Sequence, residues 1–153
     1  MLQRIQSLFL FIIVGISIAD LFLPLAFFDG TMLNCQLFCL NVVDVANGKI
    51  IDSVMSFPLM IVMAIIVSIT ITIIFSYKNR IRQMKLCKLN ILLNIVFMVV
   101  LFWYADTLEK LSGAIAQYAM GAFLPLASVV LLFLTNRSIK KDEELVKSTD
   151  RLR

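Results

Sequence analysis

Few residues of this chain could do chemistry, and one stands out by its position. Asp20 is the one acid of ten that lies inside a long apolar run, which extends from Ile5 to Phe28. Read as a continuous helix, that run sets Asp20 eight residues from Phe28, about 12 Å below its end at 1.5 Å per residue. An ionised side chain at such a depth in a bilayer costs a few kcal/mol. Asp20 should therefore face other helices or a wet crevice. Two roles follow: handling a proton or a cation, or clasping two helices together. Gln117, in a later apolar run, could hydrogen-bond it if the first and last runs touch.

The rest of the chemistry is sparse. There is no histidine, so the usual proton shuttle and the commonest metal ligand are missing. No Gly-rich phosphate loop, nucleophile elbow or zinc-binding helix motif occurs. The other acids lie outside the apolar runs, which excludes paired carboxylates for hydrolysis within a membrane. The sequence thus predicts no catalytic residue, cofactor or metal. Cys35 and Cys39 could form a disulfide on a helix or turn, where their Cα atoms would come within about 7 Å. On a strand, four residues span about 13 Å, too far for a bridge. Two thiols without histidine make a poor zinc set. Asn90 and Asn94, four apart, share one helix face, and Ser68, Thr70 and Thr72 supply further hydroxyls. Such groups act as glue between helices.

The elements that must carry these residues follow from hydropathy. The chain is 61% hydrophobic and 16% charged, against about 25% charged in a soluble domain. A bilayer core needs ~20 apolar residues per helix. Four runs approach that length, and they predict an all-α membrane protein, an up-down bundle of four transmembrane helices over about 5–28, 54–77, 88–105 and 112–136. Arg4 and the apolar run after it resemble a signal peptide with a site near Ser17-Ile18-Ala19. The run continues past that site, so it reads as a retained span. Pro24 predicts a kink in the first helix, since it leaves the carbonyl of Asp20 without its donor. Ser56 reads as a cap and Pro58 as a first-turn proline of the second helix. Between these helices, residues 32–52 carry β-branched residues on both sides of Asn47-Gly48. That is a hairpin signal, and it predicts a small two-stranded outer hairpin. Phe22-Leu23-Pro24-Leu25-Ala26 recurs as Phe123-Leu124-Pro125-Leu126-Ala127. The flanks share nothing, so the match reads as coincidence.

Charge orients the bundle. Of 14 Lys and Arg residues, all but Lys49 and Lys110 precede the first run, separate the second from the third, or follow the fourth. Basic short connections stay cytoplasmic, which predicts both termini inside. Lys78, Arg80, Arg82, Lys85 and Lys88 form the inner connection. Arg137, Lys140 and Lys141 open an 18-residue tail, 137–153 with its junction residue, whose Ile139, Leu145, Val146 and Leu152 fall near a helical repeat. The tail should extend the fourth helix. Together these basic residues predict a surface for a cytoplasmic partner or anionic lipid. No nucleic acid is expected.

The opening Met1-Leu2-Gln3-Arg4-Ile5-Gln6-Ser7, the middle Tyr77-Lys78-Asn79-Arg80 with Leu86-Cys87-Lys88-Leu89-Asn90-Ile91-Leu92, and the closing stretch Asn136 to Arg153 carry a resemblance. Together they resemble an uncharacterised family of small four-helix inner-membrane proteins from Bacteroidota, which bears a domain-of-unknown-function label. The resemblance implies a bacterial inner-membrane, multi-pass protein and supplies no catalytic residue. The sequence therefore predicts a non-enzymatic scaffold or accessory subunit that docks a partner or anionic lipid through its basic face. A homo-oligomer is compatible with this. The alternative is a small oligomeric transporter or proton- or cation-conducting protein that uses Asp20.

Overall fold

A computed structural model describes residues 2–30, 34–45, 50–52, 56–77 and 79–151, with side chains described outside 2–7, 51–52, 111 and 146–151. Its elements, in chain order, are α1 (Leu2–Phe22), β1 (Pro24–Asp29), β2 (Asn34–Phe38), β3 (Val42–Asp44), β4 (Ile50–Asp52), α2 (Phe57–Phe75), α3 (Arg80–Ser112), β5 (Ala116–Tyr118) and α4 (Met120–Arg151). Helix α1 packs against α2 and α4, and α3 packs against the same two.

The first helix ends earlier than its apolar run. The Leu23 amide donates to the Ala19 carbonyl at 3.0 Å. The next amide in that ladder would be Pro24, which has no N–H. The predicted kink is instead a helix stop, and Pro24 becomes the first residue of β1, a position that tolerates the missing donor. The connection over residues 32–52 is likewise more than a two-stranded hairpin. Strands β3 and β4 do pair antiparallel around Asn47-Gly48, although residues 46–49 lie outside the described residues. They form one edge of a five-stranded antiparallel sheet in the order β4-β3-β2-β1-β5.

The last strand comes from what reads as the start of the fourth helix. Helix α3 runs on to Ser112 and stops at Gly113, which adopts a left-handed φ of 67° and donates its amide to the Glu109 carbonyl at 2.9 Å. Glycine enters that conformation without a Cβ penalty. The Glu109 carboxylate then accepts from the Ala116 amide at 2.6 Å, holding the start of β5. At its other end α3 reaches back through the basic connection to Arg80. Asn79 caps it by accepting from the Arg82 amide at 3.2 Å. Ser56 stands at the N-cap of α2 without a side-chain cap bond; its hydroxyl donates to the Leu40 carbonyl at 2.8 Å and ties the helix start to the sheet end. Pro58 does occupy the first turn.

Polarity is inverted relative to a water-soluble fold. Phe11, Val99, Trp103 and Phe133 are exposed, whereas Ser17, Asp20, Thr70, Asn90, Asn94, Ser128 and Thr135 are buried. In water such a surface would be a large uncovered apolar patch; in lipid it is the favourable one. Among the described residues, three helices are long and apolar enough to cross a membrane: Phe57–Phe75, Arg80–Lys110 and Met120–Leu145. A shorter apolar helix covers Leu8–Phe22.

The buried apolar residues fall into two clusters. One joins the sheet to Leu59, Met63, Ile66, Phe97 and Leu101. The other gathers Leu10, Ile13, Ile73, Cys87, Leu132 and Ile139. Between them, every helix contributes a buried polar residue. Ser17 lies between Ile13 and Leu21, Thr70 between Ile66 and Ile73, Asn90 and Asn94 between Cys87 and Phe97, and Ser128 between Ala122 and Leu132. A polar layer therefore crosses the helices between a sheet end and a basic end.

Candidate functional site

At the basic end the two longest helices meet. From Lys85 to Trp103, α3 rises about 27 Å at 1.5 Å per residue, close to a bilayer's ~30 Å apolar thickness. From Met120 to Arg137, α4 covers about 26 Å, and residues 137–151 continue it for about 21 Å more. The tail is therefore a helix, as its spacing predicts. Its first apolar position is docked: Ile139 is 1% exposed and packs with Leu10, Ile13, Ile73, Cys87 and Leu132, whereas Leu145 is exposed. Gln83 donates from Nε2 to the Ile73 carbonyl at 3.2 Å in a buried position. Arg80 donates from Nη1 to the Asp142 carbonyl at 3.0 Å.

Arg80 thus joins the two helices and does not simply present its charge. The other predicted cations face outward. Arg82, Lys85 and Lys88 are exposed on α3, and Arg137, Lys140 and Lys141 are exposed on α4. Lys140 and Glu144 come within 3.9 Å, both well exposed, a pair of little energetic weight. Lys78 lies outside the described residues. The start of α3 and the tail, separated by 62 positions at the Arg80–Asp142 contact, are joined into one surface.

At the sheet end the predicted pairs do not form. Asp20 is 1% exposed, but it lies two residues from the end of α1, not eight, because the helix stops at Phe22. Gln117 is not on a helix. It is exposed on β5, opposite Phe27 in the sheet, so it does not partner Asp20. Cys35 and Cys39 are free and buried. Cys35 is on β2 and Cys39 follows that strand, and an extended chain holds such a pair about 13 Å apart.

The neighbour that sequence reasoning missed is Cys39. The register of β1 and β2 sets Pro24 opposite Phe38, which brings the next residue to the end of α1. Burial pushes the Cys39 thiol up to about 12, and the Asp20 charge adds to the shift. Burial also raises the Cys35 thiol, helped by Asp44. No spacing rule would have found the electrostatic coupling of Cys39 to Asp20, because it depends on where β1 begins.

The polar layer has one described hydrogen-bonded chain. Asn94 donates from Nδ2 to the Asn90 carbonyl at 2.9 Å and to Asn90 Oδ1 at 3.2 Å. Asn90 donates from Nδ2 to Thr70 Oγ1 at 2.7 Å, and Thr70 donates to the Ile66 carbonyl at 2.8 Å. Asn90 and Thr70 therefore link α3 to α2. Ser68 and Thr72 do not join in; they are exposed and bond carbonyls four residues back on their own helix. Ser128, which the sequence reading did not single out, is 1% exposed in the same layer.

A family model described as Domain of unknown function (DUF4293) matches residues 2–152, and the chain belongs to that family. No curated protein matches it.

Proposed function

We propose that this DUF4293 member is an integral protein of the bacterial inner membrane that crosses it four times, with both termini cytoplasmic. In this reading it performs no chemistry of its own. It serves as a scaffold or accessory subunit, and its basic end docks a protein partner or anionic lipid. The observation that carries the reading is the Arg80–Asp142 contact at 3.0 Å together with the buried Ile139. A topology signal alone needs only loose positive charge. Here the cations sit on two long helices fixed to each other, so their spacing is set before any partner arrives. Such preorganisation lowers the ordering cost of binding.

The test is gentle co-purification from native membranes, read by mass spectrometry, for the full chain and for a variant with Arg137, Lys140 and Lys141 changed to Gln. The reading predicts that a specific protein or anionic phospholipid is lost from the variant. An unchanged partner and lipid set, from a variant of unchanged stability, would overturn it.

A further inference from the structure

The geometry points to a binding site for one monovalent cation of the sodium class at the carbonyl end of α1, held by Asp20 through its carboxylate and its own backbone carbonyl. The site is at the sheet end, opposite the basic docking surface, and does not depend on it.

Three observations converge. The first is the carboxylate. Asp20 is 1% exposed, and its Oδ1 has no hydrogen-bond partner among the described residues. When ionised, a buried carboxylate without a partner is costly, and it is paired, coordinated by a cation or neutralised by a proton. The second is the backbone carbonyl of the same residue. Leu23 donates to Ala19, and the amide that would serve Asp20 belongs to Pro24, which has no hydrogen. No other backbone donor among the described residues reaches that oxygen. Two oxygens of one residue are therefore left without donors at one helix end. The third is that no described Lys or Arg pairs with Asp20, Lys49 lying outside the described residues. Among the described residues, the only Lys or Arg away from the basic end is Lys110, which is exposed and bound to Asp106 at 2.6 Å.

The class of ligand follows from the donors. All are oxygens, which suit a hard cation. A single carboxylate balances a single positive charge. The last turn of a helix carries the negative end of its dipole, so the field that opposes an uncompensated Asp20 carboxylate favours a cation beside it. Ser17, three residues back on the same helix face and 2% exposed, adds a hydroxyl nearby. Cys39 contributes no charge, because its thiol stays protonated at neutral pH.

The experiment uses the full chain in phosphatidylcholine nanodiscs, with sodium replaced by choline at constant ionic strength. Thermal unfolding and binding of radioactive sodium are both read. The wild type should show a saturable rise in Tm with sodium and none with choline. Asp20→Asn should abolish that rise and weaken sodium binding by at least about tenfold. Pro24→Ala restores an amide donor to the Asp20 carbonyl, so it should weaken binding with the carboxylate still in place. If Asp20→Asn does not fold, wild-type binding and the Pro24→Ala variant still decide. A wild type that binds no sodium, or whose Tm follows pH identically in sodium and choline, would overturn the site.

Discussion

The close approach of Gly121 to Pro24 gives the sharpest stability test. Gly121 is the second residue of α4 and lies against the break between α1 and β1. A methyl group added there would meet the Pro24 carbonyl oxygen at 2.6 Å, its carbon at 3.2 Å and the Leu25 side chain at 3.1 Å. A Cβ does not normally come within 3.0 Å of another heavy atom, so something must retreat by about 0.4 Å or more. The obstacle is backbone, and it is pinned. Pro24 pairs with Phe38 across the sheet, and Ala119 donates to the Leu25 carbonyl at 3.0 Å beside it. Overpacking at a tight site costs about 1–3 kcal/mol. Alanine recovers up to about 1 kcal/mol over glycine in a helix interior, and less in a first turn. The clash wins, and Gly121→Ala should lose about 1–2 kcal/mol. Gly121→Val should lose more. Reversible unfolding in mixed detergent and dodecyl sulfate micelles, followed by circular dichroism, measures this directly. A Gly121→Ala protein as stable as the wild type, or more so, would refute the close approach of α4 to Pro24.

Three further outcomes are expected. In the same assay, Asn90→Ala should cost roughly 0.6 kcal/mol and no more than about 1.7, the range for interhelical hydrogen bonds in membranes, whereas Ser68→Ala should cost nothing measurable because its hydroxyl is exposed. Cys39 should resist maleimide at pH 8 until the protein is unfolded; because its folded value is raised from 9.0 to about 12, the unfolded chain releases the proton first, and this contribution to stability should be present below pH 9 and fall as pH climbs toward 12. Ile139→Asp combined with Arg80→Ala should free the tail, seen as rapid proteolysis near residues 137–151 under conditions where the wild type stays intact.

What the sequence made legible was set by long-range averages. The apolar runs give the helices, the clustered cations give the basic end, and the period of Ile139 and its neighbours gives the tail helix. These signals summed over many residues. The sheet was not legible, because single backbone events place it. Phe22-Leu23-Pro24-Leu25-Ala26 spans a helix end and a strand, yet the same five residues at Phe123–Ala127 are wholly helical within α4. Pro125 lies inside its helix and removes one bond of the ladder, with helix continuing on both sides of it; Pro24 comes after a complete helix and has Phe38 opposite it in the sheet. Composition cannot tell these apart. The site followed suit. The described cations lie on two packed helices, and Arg80 among them is a clamp. The Asp20–Gln117 pair and the Cys35–Cys39 bridge failed because both assumed helix where the chain is strand.

The central claim is that this chain lies in a membrane with its basic end cytoplasmic and its sheet outside. Val45→Cys at the sheet and Lys140→Cys on the tail place thiols at exposed positions at the two ends. Intact cells are treated with a membrane-impermeant maleimide before and after permeabilisation. The account predicts that Val45→Cys is labelled at once and Lys140→Cys only after permeabilisation. Labelling of Lys140→Cys in intact cells, or extraction of the protein from membranes by alkaline carbonate, would contradict it.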